Sequence, residues 1–293
     1  MNAKDLALIL TVISVWGVNF LFMKFALADV PPMVLGMLRF AFVALPAVFF
    51  LPRPPVRWYW LAAYGLTISF GQFSLMFTAL SWGMPTGLAA LMLQMQVFFT
   101  VLLAGVLFRE PVKAHQVFGM ASAAIGLVFI GIGQYQGSLP FAAIWPVLGA
   151  AASWACGNLV VKRIGAVNPL SLVAWGGLPA FAAFALASLA VHGFGGTAVH
   201  LSHLSRAGFG SVLFLSYVSS LIGYTFWGAL LAKHPAHRVT PFALLVPVIA
   251  LAAGAAVFGE RLGVWHWLGI AVVMSGLLLH IFGRKLQHRL PDI

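Results

Sequence analysis

Polar side chains stand beside aromatic ones at helical spacing inside the apolar stretches of this chain. Trp16 and Asn19 are three residues apart, and Trp154 and Asn158 are four apart, so each pair shares one face of a helix. An aromatic ring beside an amide can hold a zwitterion such as an amino acid. The alternative is that each tryptophan packs and each asparagine bonds a neighbouring helix. The two pairs are therefore candidate contacts for a small-molecule ligand.

Three other stripes of polar, aromatic and sulfur-containing side chains follow helical spacing. Gln72 and Met76 share one face and Gln94 and Phe98 share another, whereas Gln96 points away from the second stripe, which favours Gln94 over Gln96. Such stripes can line an amphipathic cavity, and aromatic packing is the equal alternative. The longest stripe, at spacings of three and four, consists of Tyr217, Ser220, Tyr224 and Trp227.

Arg39 is the one arginine that falls clearly inside an apolar stretch. A cation in that position must be paired, hydrogen-bonded or in contact with water. Arg39 could bind the carboxylate of a substrate, pair with Asp29, or extend its guanidinium to the membrane surface. Lys24 lies near the end of its apolar stretch, so we expect it at the membrane interface rather than in a binding site.

Other kinds of chemistry find little support in the sequence. The stretch GxxxxGK[ST] that cradles ATP phosphates is missing, and no residue set combines a nucleophile with a base or collects metal ligands. We therefore expect no enzyme activity, no cofactor and no metal. A single cysteine, Cys156, excludes an intramolecular disulfide. All five carboxylates lie at helix ends or in tails: Asp5, Asp29, Glu110, Glu260 and Asp292.

Composition identifies the solvent of this chain. Its 293 residues are 62% hydrophobic and 7% charged, with a mean hydropathy of +1.02, whereas soluble domains carry about 25% charged residues. The chain is predicted to be an all-α integral membrane protein, because its apolar stretches are long and lack the alternation of barrel strands. We predict ten transmembrane helices, at residues 6–27, 33–51, 58–80, 85–108, 114–133, 141–163, 168–191, 208–232, 236–258 and 264–283.

Lysine and arginine predict the orientation of these helices. With the N-terminus inside, one side of the membrane holds twelve of these residues and the other at most Lys24, Arg206 and Arg261. Both termini are therefore predicted to be cytoplasmic, in a multi-pass protein of a bacterial-type inner membrane. The same bias accounts for the net charge of +11, so the lipid bilayer is the expected partner and nucleic acid is not. We expect a monomer.

The second half of the chain repeats the first. Trp16 and Lys24 recur as Trp154 and Lys162 at an offset of 138, and further on the offset is 150. The difference means about twelve extra residues in the second half, which best fit an outer loop in the polar stretch 192–206. The pairs at offset 150 are Pro85–Pro235, Gly105–Ala255, Phe108–Phe258, Glu110–Glu260, Gly119–Gly269, Gly126–Gly276 and Gly133–Gly283.

An internal repeat with an odd number of helices has a topological consequence. The units 1–137 and 138–293 are predicted to hold five helices each, so the second unit must enter the membrane from the opposite side. In proteins with such inverted repeats, the substrate site lies near the midplane between the halves, and rocking of the halves gives alternating access. Transport of a small molecule therefore follows from the predicted topology.

Several residues stand in a fixed order along the two inverted five-helix halves: Trp16 to Asn19, Arg39, Phe108 to Pro111, Trp154, Pro247 and Phe258 to Arg261. With these residues, the chain resembles the drug/metabolite transporter superfamily, and specifically its EamA-type exporters. This resemblance implies export of small metabolites, most often amino acids, through a central cavity between the predicted helices one, three, four, six, eight and nine. Val97 stands where the second half has Pro247, so the proline-associated break of the fourth predicted helix, 85–108, can be absent.

The expected function is therefore export of amino acids or related small metabolites by alternating access. Aromatic and other neutral amino acids suit the predicted aromatic faces, although these faces also accept aliphatic side chains. A nucleotide-sugar or phosphorylated-metabolite antiporter is an alternative, but it should show several basic residues in its cavity. A multidrug exporter of organic cations is another, weakened by the lack of a buried acid. The same lack predicts movement down the substrate's own gradient, or weak coupling.

Overall fold

The computed structural model of the protein describes residues 3–108, 114–135, 141–233, 242–243, 245–259 and 262–287. Every regular element in these ranges is a helix, in agreement with the predicted all-α class. Two short π-helical segments interrupt the α-helices, and we name them π1 (Gly65–Gly71) and π2 (Phe214–Ile222). The prediction of an all-helical, apolar chain is confirmed.

The first half begins with α1 and ends with α7, and α3, π1 and α4 follow one another without a gap. Its α-helices are α1 (Ala3–Asp29), α2 (Pro32–Ala47), α3 (Trp58–Tyr64), α4 (Gln72–Ser81), α5 (Thr86–Leu93), α6 (Met95–Phe108) and α7 (Ala114–Tyr135). The second half has the same order. Its α-helices are α8 (Ile144–Ile164), α9 (Pro169–Ser202), α10 (Arg206–Leu213), α11 (Gly223–Lys233), α12 (Leu245–Phe258) and α13 (Val264–Gln287).

Within the described residues, five helical stretches are long and apolar enough to cross a membrane. They are Ala3–Asp29, Thr86–Leu107, Phe141–Ile164, Pro169–Ser202 and Arg206–Trp227. Four shorter helices are also apolar, namely Pro32–Ala47, Val117–Ile130, Leu245–Phe258 and Val264–Gly276. The chain is therefore a helical membrane protein.

Local chemistry fixes several of the helix ends. Pro32 stands at the first turn of α2, after an extended Pro31, where its missing N–H costs nothing. The Asn168 side chain accepts hydrogen bonds from Leu170 N at 2.9 Å and Ser171 N at 3.2 Å, and thereby caps α9. Ser205 caps α10 in the same way. These caps lie at the breaks that the sequence predicts.

Three helix pairs join corresponding helices of the two halves: α2 with α9, α5 with α12, and α7 with α13. Gly36 packs on the ring of Phe184, whereas Gly177, earlier in α9, packs on Ala44 near the end of α2. Contacts thus run in opposite sequence directions, and the two helices are antiparallel.

The helices α7 and α13 are antiparallel as well. Ser122 Oγ of α7 donates to Val272 O of α13 at 3.3 Å. Gly126, which comes later in α7, packs on Gly269, which comes earlier in α13.

The π-helical segments occupy matching places in the two halves. They begin at residues 65 and 214 and end at 71 and 222, so they lie 149 and 151 residues apart, at the repeat offset. Each packs against the first helix of the other half, π1 on α8 and π2 on α1. Ser153 Oγ of α8 donates to Thr67 O of π1 at 2.8 Å, and Trp16 Nε1 of α1 donates to Ser219 O of π2 at 3.1 Å.

The structure corrects the predicted outer loop at 192–206. The helix α9 continues to Ser202, with a sharp bend at Gly193, whose φ of 67° is a conformation that glycine adopts at low cost. The bend folds the end of α9 back, so that the Ser188 and Thr197 hydroxyls lie 2.9 Å apart. The extra residues of the second half therefore form helix rather than loop.

A second correction concerns the break in the fourth predicted helix, residues 85–108. Gln94 separates α5 from α6 although no proline is present. The backbone bonds from Gln94 N to Leu91 O at 3.1 Å and from Val97 N to Gln94 O at 3.0 Å span three residues rather than four. This local tightening interrupts the helix without a proline. The break of the first half is thus retained, even though Val97 replaces the proline of the second half.

Candidate functional site

Arg39 of α2 is buried at the contact between α2, α4 and π2, with 3% of its surface exposed. Its Nη2 donates to Ser220 Oγ at 3.1 Å, and its guanidinium carbon lies 4.0 Å from the centre of the Phe73 ring. Ser216 Oγ donates to the backbone oxygen of Arg39 at 3.1 Å. Ser220 and one aromatic ring therefore hold the guanidinium, and Ser216 holds the backbone of Arg39.

The remaining donors of Arg39 have no acceptor. Nε and Nη1 are buried without a hydrogen-bond partner in the described structure. Asp29, the partner that the sequence suggested, instead accepts from Ser205 N at 3.0 Å and Ser205 Oγ at 2.5 Å. The guanidinium does not extend to the surface either. A buried cation with free donors is costly, so the position favours an anionic ligand.

The other described carboxylate also lies away from this site. Asp5 Oδ1 accepts from Lys233 Nζ at 2.8 Å, where the start of α1 meets the end of α11. Glu110, Glu260 and Asp292 lie outside the described residues. Within the described residues, no group of three or more histidine, cysteine, aspartate or glutamate side chains is placed to hold a metal ion.

An aromatic cluster adjoins Arg39 along π2 and α11. The Trp16 ring centre lies 5.7 Å from that of Tyr224 and 5.2 Å from that of Trp227, both on α11. Because Trp16 donates to Ser219 O and Arg39 donates to Ser220, the two side chains reach neighbouring residues of π2. A buried cation therefore lies beside amphipathic rings where the two halves are in contact.

Asn19 lies one turn from Trp16 and is 7% exposed. Its Nδ2 donates to Met23 Sδ at 3.9 Å within α1, and its Oδ1 is buried without a hydrogen-bond partner. An amide oxygen in such a place can accept from a ligand.

A second polar cluster joins α8 to α6. Asn158 Nδ2 donates to Gln96 Oε1 at 2.9 Å and to Thr100 Oγ1 at 3.1 Å. Trp154, one turn earlier, packs half-buried against the hydrophobic core. The sequence favoured Gln94 over Gln96, but Gln96 is the residue bonded to Asn158. The break at Gln94 changes the helical register. The sequence signal that could have indicated Gln96 is Thr100, a second polar residue four positions further on and therefore on the same helical face.

The remaining predicted residues either bond another segment or are buried. Gln94 Nε2, between α5 and α6, donates to Ala243 O at 3.5 Å, two residues before the start of α12. Phe98 and Met76 are buried core residues, and Gln72 is 5% exposed in α4. None of these contacts assigns the residues a ligand.

The predicted stripe Tyr217, Ser220, Tyr224 and Trp227, in the predicted helix 208–232, is divided. Tyr217 packs on Phe42 of α2, with ring centres 6.3 Å apart, whereas Tyr224 and Trp227 pack on Trp16 of α1. The reason is π2, which adds a residue to the turn and rotates the face that follows. Helical spacing of 3.6 residues places Tyr217 and Tyr224 on one face, whereas in the structure they pack on different helices.

An apolar helical chain whose halves enclose buried polar and aromatic groups is the architecture of a membrane transporter. The comparisons with known proteins agree with this class. The chain belongs to the EamA-like transporter family, whose sequence model matches residues 3–132 and 141–282.

Two relatives cover almost the whole chain. One, from Escherichia coli (strain K12), is 42% identical over 294 residues, covers 97% of both chains, and is named "Probable amino-acid metabolite efflux pump". The other, from Salmonella typhimurium (strain LT2), has the same name and is 40% identical over 292 residues, with 98% of both chains covered. A crystal structure of an 18% identical protein aligns over 100% of both chains with a TM-score of 0.65, which supports the fold alone.

Proposed function

We propose that this protein exports amino acids or closely related small metabolites across a bacterial inner membrane. The observation that carries the proposal is Arg39, a buried cation with two free donors beside a cluster of aromatic rings. A small carboxylate would satisfy those donors, and the rings of Trp16, Tyr224 and Trp227 would accept its side chain. The names of the two relatives support the same substrate class.

The transport route in this proposal is alternating access between two inverted five-helix units, 1–137 and 138–293. The antiparallel contacts of α2 with α9 and of α7 with α13 support inversion, because equivalent helices then run in opposite directions. The matching places of π1 and π2 support a duplicated unit. Ten membrane crossings, cytoplasmic termini and a monomer complete the proposal.

The residues of the proposed substrate path lie on both sides of the contact between the halves. Arg39 binds the carboxylate, and the aromatic cluster binds the side chain. The Asn158 cluster with Trp154, where α8 meets α6, provides a second polar step. The other residues proposed to line the path are Asn19, Gln72, Met76, Gln94, Phe98 and Tyr217.

The two alternative substrate classes fit this site less well. An organic cation would meet an arginine whose charge is not neutralised by either described carboxylate, so it would be repelled. A nucleotide sugar carries a diphosphate, which needs several cations, and Arg39 is the one buried cation among the described residues. Neutral amino acids and similar monocarboxylates therefore fit best.

Flux into proteoliposomes that contain the purified protein tests the proposal. A panel of labelled amino acids is offered with and without an imposed pH gradient. Asp5, contrary to the expectation that no acid is buried, is a buried acid, but it is paired with Lys233 away from Arg39. We therefore expect flux of several amino acids without a gradient. Failure to transport any amino acid with intact protein would refute the proposed function, and strict dependence on the gradient would refute the facilitative mode.

Variants connect this flux to the site. Arg39→Ala is expected to weaken transport of amino acids but not of their amides, which lack the carboxylate. Trp154→Ala and Asn158→Ala are expected to reduce flux while insertion into the membrane is retained. Normal flux in a well-inserted double variant would exclude Trp154 and Asn158 as substrate contacts.

A further inference from the structure

Three of the four buried side-chain atoms without a hydrogen bond in the described structure belong to two residues next to π2. These atoms are Asn19 Oδ1, Arg39 Nε and Arg39 Nη1, and the fourth is Ser171 Oγ, in the first turn of α9. Asn19 and Arg39 are both more than nine-tenths buried. An acceptor and a pair of donors are thus left open in the interior.

The two residues approach π2 from different helices. On α1, Trp16 bonds Ser219 O, and the Phe22 ring stacks on Phe214 with centres 3.8 Å apart, so both contact π2. At about 100° per residue, Asn19 points about 60° from each of them, between the two, and therefore faces π2. From α2, Arg39 bonds Ser220 of the same segment.

The orientation of the Asn19 amide decides what it can bind. Its nitrogen donates to Met23 Sδ inside α1, which leaves the oxygen as the open group. An ammonium group has three donors and no acceptor, and a carboxylate accepts two parallel bonds from arginine. One small ligand that satisfies the open atoms of both residues is an α-amino acid zwitterion.

The repeat adds an independent observation. At the offset of 138, the counterparts of Asn19 and Arg39 are Gly157 and Gly177. Gly157 packs on Ile68, and Gly177 is in contact with Ala44, so each counterpart serves helix packing. A duplicated protein would otherwise carry two such polar pairs. The asymmetry leaves one polar pair per chain.

We propose that Asn19 and Arg39 together recognise the head group of a zwitterionic α-amino acid. Arg39 binds the carboxylate through Nε and Nη1, and Asn19 Oδ1 accepts a hydrogen bond from the ammonium group. The side chain of the substrate then extends toward the rings of Trp16, Tyr224 and Trp227. This inference rests on the proposed export function and specifies its substrate class: amino acids with a free α-ammonium, rather than simple carboxylic acids or amines.

Competition for uptake of one labelled neutral amino acid into proteoliposomes tests the pair. The competitors are the unlabelled amino acid, its amide, its deamino acid and its N,N,N-trimethyl derivative. The last keeps the positive charge but has no N–H to donate. With the wild-type protein, the amino acid is expected to compete at least about tenfold better than any of the other three.

Asn19→Leu removes the acceptor with a side chain of similar size. It is expected to lower the apparent affinity for the amino acid about tenfold, and to leave that for the deamino acid and the trimethyl derivative unchanged. Ser171→Ala removes the other open atom and serves as the matched control, with no change expected. Equal effects of Asn19→Leu on all competitors would overturn the inference.

The outcomes separate the inference from the function on which it rests. Absence of amino-acid flux in the wild-type protein would refute the proposed function. Flux in which the trimethyl derivative competes as well as the amino acid would refute ammonium recognition while leaving export intact. This comparison uses the wild-type protein alone, so it decides the matter even if Asn19→Leu does not fold.

Discussion

The crossing of α7 and α13 offers a sharp test of the packing between the two halves. A Cβ at Gly126 would lie 2.6 Å from Val273 Cγ2 and 2.8 Å from Gly269 O. A Cβ at Gly269 would in turn lie 2.6 Å from Gly126 O. Backbone atoms cannot rotate away, so Gly126→Ala must push the helices apart by roughly 0.6 Å to restore a contact of about 3.4 Å.

Overpacking of this size costs about 1–3 kcal/mol. Alanine also favours a helix over glycine by about 1 kcal/mol, which offsets part of the loss and must be measured separately. Gly210→Ala provides that measurement, because Gly210 is exposed in α10 and a Cβ there would meet nothing within 4 Å. The difference between the two variants therefore isolates the cost of the clash.

Thermal unfolding of the purified variants in one detergent is the assay. Each kcal/mol of lost stability lowers the melting temperature by roughly 2–4 °C. Gly126→Ala is therefore expected to melt below Gly210→Ala by that amount for each kcal/mol of the 1–3 kcal/mol difference. Gly269→Ala should behave like Gly126→Ala, because it enters the same crossing from the opposite helix. Equal melting temperatures for Gly126→Ala and Gly210→Ala would refute close backbone contact at this crossing.

Two further predictions concern α9 and the end of the bundle that holds Asp5. In a Cys156→Ser background, Ser188→Cys with Thr197→Cys should form a disulfide on mild oxidation, seen as a mobility shift on a non-reducing gel. A straight helix would hold these positions about 13 Å apart and give no cross-link. For Asp5 and Lys233, a double-mutant cycle of thermal stability with Asp5→Asn and Lys233→Gln should give a coupling of about 0.2–1 kcal/mol, because the lysine is 55% exposed. A coupling above about 3 kcal/mol would contradict such solvent screening.

The length and polarity of the helices follow from the sequence almost directly. The predicted stretch 58–80 is found as α3, π1 and α4, and the stretch 141–163 as α8 with the turn before it. In a membrane the polar N–H and C=O groups of the backbone must bond one another, and a long apolar segment achieves this as a helix, so composition alone is informative. The polarity of 192–206 misled the prediction, because a polar stretch can still form helix once a glycine bends the chain.

The sequence singles out some residues of the candidate site but not their pairings. Arg39 and Trp16 stand out in the sequence as polar or amphipathic groups in apolar surroundings. Their partners in the predicted helix 208–232 were harder to predict, because π2 directs Tyr217 against α2 and Tyr224 against α1. A bond from residue i to i+5 has no periodic signature, so a change of register inside a helix is invisible to a spacing argument.

The bond from Trp16 to Ser219 has a consequence for biosynthesis. The two residues are 203 positions apart, so α1 is made and inserted long before its acceptor on π2 exists. During that interval the Trp16 indole N–H, at the middle of α1, must rely on water or a temporary helix neighbour. The reciprocal bond from Ser153 to Thr67 closes after only 86 positions. Assembly in the membrane is therefore ordered: the contact of α8 with π1 can form during translation, whereas α1 reaches its final place only when most of the second half has emerged.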